Sequence, residues 1–144
     1  MTYYAPAVRA RHSTRRPYPA MQLLALGINH HTAPLDVRER VAILPERMEL
    51  HLRSLLQQPA VTEASLLSTC NRTELVVALD DADAPGPLDW FRHACAALQK
   101  PVDPYLAIFR GPLAARHLFR LAAGLDSLVI GEPQILGQMK DAYE

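Results

Sequence analysis

Ala64-Ser-Leu-Leu-Ser68, Thr69-Cys-Asn-Arg-Thr73 and Glu74-Leu-Val-Val-Ala-Leu79 follow one another without interruption. The outer two runs are apolar and partly β-branched, the composition of strands packed on at least one face, and they are too short for helices. The polar link between them is short enough to read as the connection of two consecutive strands. Side chains at such a link leave a rigid sheet for solvent, where chemistry is commonly placed.

Upstream, Gln22–Asn29 reads QLLALGIN, an apolar run closed by Gly27 and Asn29 that reads as a buried strand before the polar loop His30–Pro34. From Pro45 the period turns helical, with Met48, Leu52, Leu55 and Leu56 on one face and Pro59 just beyond the end. Downstream, the turn-rich stretch Asp80–Pro87 leads to a helix whose Leu88, Phe91, Cys95 and Leu98 share a face, which makes Cys95 core filling. Leu106–Phe109 reads as a short strand. A helix from Pro112 follows, with Leu113, Ala114, Leu118, Leu121 and Ala122 on its apolar side, Arg116 and Arg120 opposite, and Gly124 as its stop. After Leu125–Glu132, Pro133 opens a last helix that reaches Glu144 with no stop signal, the pattern expected of a chain cut inside an element.

The chain of 144 residues has the length of one ordinary domain. No apolar run approaches the roughly 18 residues of a membrane span. Cys70 and Cys95 fit neither a disulfide framework nor paired zinc spacing, and both suit a reducing cytoplasm. Formal net charge is zero, yet residues 1–20 hold Arg9, Arg11, Arg15 and Arg16 and no acid; removing those four leaves 11 basic against 15 acidic residues, a net −4. The acidic body argues against an RNA-coating module, so any RNA contact must use a local basic patch. Residues 1–20, with three prolines and few aliphatics, are expected to be a disordered basic extension. Met21, directly before a clean strand, favours an upstream start over a targeting peptide.

Cys70 is the strongest chemical candidate: it stands at a strand end among Thr69, Asn71, Arg72 and Thr73, and a guanidinium nearby favours the thiolate that attacks carbonyls. For an arbitrary cysteine, a structural thiol at a strand terminus is the commoner case. His117 lies between Leu113 and Leu121 on an apolar helix side, where core histidines outnumber catalytic ones. His30 and His31 are adjacent and have no further ligand at metal spacing, so no metal site is expected. The glycines form neither a GxGxxG turn nor a P-loop, so nothing here holds a dinucleotide.

Gly27-Ile-Asn-His-His-Thr-Ala-Pro34, Leu67-Ser-Thr-Cys-Asn-Arg-Thr-Glu74 and Gly124-Leu-Asp-Ser-Leu-Val-Ile-Gly-Glu-Pro-Gln-Ile-Leu-Gly-Gln138 resemble signature blocks of glutamyl-tRNA reductase, in that family's order. The resemblance covers residues 21–144. It implies that the chain is the family's catalytic domain, ending before its NADPH-binding and dimerisation domains. The implied fold is α+β: a ferredoxin-like antiparallel sheet with helices on one face, then C-terminal helices leading into a truncated spine helix.

The resemblance also implies the chemistry. The thiolate of Cys70 would attack the ester of glutamyl-tRNA(Glu) to give a thioester, which NADPH reduces to glutamate-1-semialdehyde, the first step of tetrapyrrole formation. It gives His117 an active-site role, polarising the ester or assisting proton transfer. Arg72 would clamp a carboxylate, Thr69, Asn71 and Ser127 would donate short polar bonds, and Glu132, Pro133, Gln134 and Gln138 match a binding stretch, with Glu132 suited to the α-ammonium. Implied partners are glutamyl-tRNA(Glu), a second copy through the dimerisation domain, and the pathway's next enzyme, glutamate-1-semialdehyde aminomutase; no membrane is implied. The competing readings are a catalytically silent tRNA-binding or regulatory module and, behind it, a generic thiol hydrolase.

Overall fold

The central strand pairs are set by three apolar segments that alternate on one face. In the computed structural model, which describes the backbone of residues 3–9 and residues 21–125, Gln22–Asn29 forms β2, Val61–Ser68 forms β3 and Arg72–Leu79 forms β4. β2 and β3 both pair antiparallel with β4, aligning Leu26 and Leu66 with Leu75, and Leu24 and Ala64 with Val77. These side chains make one apolar face, and Leu75 and Leu79 are fully buried. Each such leucine contributes about 1.5–3 kcal/mol by leaving water.

That face is covered by helices. α1 (Leu35–Val41) inserts Val37 and Val41, α2 (Pro45–Leu56) inserts Met48, Leu52 and Leu55, and α3 (Gly86–Ala94) inserts Trp90 and Phe91, all into one cluster with the sheet. Cys95 caps α3 and joins this core at 4% exposure, as its helical phase requires. β5 (Ala107–Arg110) pairs with the free side of β2. The order β3-β4-β2-β5, with helical connections after β2 and β4, is the ferredoxin-like arrangement that the family resemblance implies.

α4 (Pro112–Ala122) lies on the opposite face of the sheet, against β2 and β5. Gly124 ends it as expected: with φ of 71° it donates to the Leu121 carbonyl while Leu125 donates to that of Arg120, the paired bonds of a Schellman stop.

Several elements differ from the sequence reading. Tyr3–Arg9, expected to be disordered, forms an edge strand β1 paired antiparallel with β3. Its register shifts between Ala5 and Val8, around Pro6, and an edge bulge is where a strand tolerates a residue that cannot donate. α1 was not anticipated. β4 starts at Arg72, not Glu74, because Arg72 and Thr73 pair with Asn29 and Ile28 of β2. The expected helix from Pro133 lies outside the described residues.

Candidate active site

Because β-strand side chains alternate, Arg72 and Glu74 project together from β4 onto the α4 side, away from Thr73 and Leu75. Both are 2% exposed. Arg72 Nη1 donates to Glu74 Oε1 at 3.2 Å, and Glu74 Oε2 accepts from His117 Nε2 of α4 at 3.1 Å. One carboxylate therefore joins the β4 cation to the α4 imidazole. With Nε2 on Glu74, Nδ1 is the ring nitrogen turned away from that carboxylate. The ring also stacks on Phe109 of β5, centroids 4.2 Å apart and planes 13° from parallel, which fixes its orientation. A network of this kind is stable in a low-dielectric layer only when its charges are balanced and bonded to one another.

The layer is tight at Gly27, which β2 places opposite Glu74. A Cβ there would sit 2.2 Å from the Thr73 carbonyl oxygen and 2.9 Å from Glu74 Cγ. Only glycine lets β2 come this close to the ion pair.

Cys70 occupies the turn that joins β3 to β4, two residues before Arg72, and its side chain is exposed. Thr69 N–H donates to the Arg72 carbonyl at 2.8 Å, and Asn71 N–H donates to Thr69 Oγ1 at 3.1 Å. Thr69 and Asn71, expected to meet substrate, thus also shape the turn. The guanidinium of Arg72 bonds Glu74, whose other carboxylate oxygen meets His117 of α4. A cation that reaches the Cys70 turn is Arg38 of α1, whose Nη1 donates to the Cys70 carbonyl at 3.3 Å and to Asn71 Oδ1 at 3.2 Å.

The structure thus brings Arg72 and His117 onto one carboxylate and puts Thr69, Cys70 and Asn71 in the turn that precedes it. Ser127, Glu132, Pro133, Gln134 and Gln138 lie outside the described residues. Sequence reading assigned no role to Glu74 or Arg38. Glu74 was detectable as a charged residue placed in phase with Arg72 on an apolar strand; Arg38 carried no such signal. No group of three or more metal-type side chains occurs among the described residues, and no described helix is long and apolar enough to cross a membrane.

Residues 26–144 match the family model described as Glutamyl-tRNAGlu reductase, N-terminal domain. The chain is 51% identical over 123 residues to the glutamyl-tRNA reductase of Marinobacter nauticus, covering 85% of this chain and 29% of that protein. With that of Aromatoleum aromaticum it shares 52% over 122 residues, again 85% and 29% of the two lengths. Among solved structures, glutamyl-tRNA reductase from Methanopyrus kandleri superposes with a TM-score of 0.54 at 30% identity, over 84% of this chain and 27% of that one. The chain spans under a third of the length of these relatives.

Proposed function

The chain belongs to the family of glutamyl-tRNA reductase N-terminal domains, and from that membership we propose that residues 21–144 form the acyl-accepting domain of a glutamyl-tRNA reductase, with Cys70 as nucleophile. The observation that carries this reading is the exposed thiol of Cys70 on a turn braced by hydrogen bonds, adjacent to a buried Arg–Glu–His network. An exposed sulfur on a fixed turn can meet an ester at the 3′ end of a bulky RNA; a buried one cannot.

In this mechanism the Cys70 thiolate adds to the ester carbonyl of glutamyl-tRNA. The carbonyl–oxygen bond to the ribose breaks, the tRNA oxygen takes a proton, and the glutamyl group remains on sulfur as a thioester. His117 is the proposed proton-bearing group, oriented by Glu74 and by stacking on Phe109. Arg72 is the proposed clamp for the glutamyl side-chain carboxylate, with Thr69, Asn71 and Ser127 bonding the rest of that group and Glu132 its α-ammonium. Pro133, Gln134 and Gln138 extend the binding stretch.

In the full-length enzyme NADPH would supply the hydride that takes the thioester to glutamate-1-semialdehyde, the entry to tetrapyrroles. The described residues contain no Gly-rich strand-to-helix turn that fits a dinucleotide, and no part of that transfer is given to them. Dimerisation and contact with the aminomutase belong to the same full-length proposal.

Mixing the chain with glutamyl-tRNA labelled on glutamate tests the reading. Label should move to protein and survive acid, and Cys70→Ser should take up none. Retention of tRNA without transfer of label would leave a silent binding module in its place.

A further inference from the structure

α1 and the segment after it hold the β3–β4 hairpin at both tip and stem. At the tip, Arg38 Nη1 bonds the carbonyl of Cys70 and the side chain of the next residue, Asn71. At the stem, Ile43 N–H donates to Ser68 Oγ at 3.0 Å, and that hydroxyl lies 3.2 Å from Thr73 Oγ1 across the hairpin. α1 itself is anchored, because Val37 and Val41 on either side of Arg38 sit in the core at 0% and 4% exposure. The guanidinium therefore extends from a fixed base and ties a main-chain carbonyl and the neighbouring side chain of a turn whose own bonds, among the described residues, are local.

We propose that Arg38 is a positioning residue for the Cys70 nucleophile, holding the turn in the one conformation that presents the sulfur to an acyl ester. The inference rests on Cys70 being the acyl acceptor, and it adds a residue on the helix-covered side of the sheet to a site otherwise built on the α4 side. A nucleophile must be held within a fraction of an ångström of its attack geometry, so a loosened turn slows attack more than it weakens binding. Arg38 is suited to this because one planar cation can serve two acceptors, whereas lysine offers a point charge on a flexible stem.

The test compares Arg38→Ala, Arg38→Lys and, as a charge-matched control on the same helix, Arg40→Ala. In single-turnover acylation by glutamyl-tRNA, Arg38→Ala should lower the saturating rate about 10- to 100-fold, the effect of one lost charge-assisted hydrogen bond, while half-saturation stays put. Arg38→Lys should recover part of the rate, and Arg40→Ala should match the parent. Amide exchange at Thr69 and Asn71 should quicken in Arg38→Ala alone, a readout that needs no substrate.

An Arg38→Ala protein with parental exchange at Thr69 and Asn71 overturns the inference. So does a rate loss shared by Arg40→Ala, or one confined to half-saturation, since either would make Arg38 part of a general attraction for RNA. Failure of the parent protein itself to acylate would instead strike the assignment of Cys70, and the exchange measurement would still decide whether Arg38 holds the turn.

Discussion

Neighbouring residues of β4 live in two environments. Leu75, Val77 and Leu79 point into a cluster of uncharged, mainly apolar side chains, where a side chain of similar volume and polarity can serve. Arg72 and Glu74, one peptide away and equally buried, point into a layer where each charge depends on a named partner. The first face specifies the fold by composition, and the second specifies the site by pairing. The difference teaches that burial alone does not tell the two kinds of position apart; what separates them is whether a substitution of the same size leaves something unbalanced.

The sharpest way to break this comparison is a pair of near-isosteric changes. Glu74→Gln keeps volume but removes the carboxylate charge that bonds both Arg72 and His117, so urea unfolding should lose about 3 kcal/mol or more. Leu75→Met, on the neighbouring residue, should cost under about 1.5 kcal/mol. Equal losses would mean that the two faces do not differ in kind. Glu74→Gln should also slow acylation, because His117 loses the acceptor that orients it.

A smaller effect separates the two cysteines. Cys70 should react with a small haloacetamide at neutral pH, whereas Cys95 should react only on unfolding. Burial pushes the Cys95 thiol up from 9.0 to about 12. A raised value means that the folded chain holds this proton after the unfolded chain has lost it, so the contribution to stability is complete below pH 9 and is lost as pH climbs towards about 12. Cys95→Ala should flatten that alkaline decline without touching acylation; an unaltered decline would assign it to other groups.

The contrast between faces also explains what could be read in advance. The apolar face takes every second residue of β2, β3 and β4, and the strands are legible as apolar runs, whereas their order in the sheet is what the family resemblance implies. Arg72 and Thr73 have the sequence signature of a loop because polar residues mark a strand only if a partner covers them, and the partner of Glu74 lies 43 residues away on α4. α1 is only seven residues long and shows two core positions, Val37 and Val41, which is too little repetition for a helical period to register. β1 was hidden by its proline and arginine, which an edge strand accepts and a composition rule does not. Cys70 stands out as a candidate because its motif is contiguous and carries the family resemblance; Arg38, brought to it by tertiary structure, does not.

The most direct test of the central claim is to locate the acyl group. After a brief reaction with glutamyl-tRNA and quenching in acid, peptide mass mapping should place a glutamyl increment on the fragment containing Cys70, and neutral hydroxylamine should remove it as expected of a thioester. An increment on Cys95 or on any other residue, or an adduct that resists hydroxylamine, would contradict the assignment.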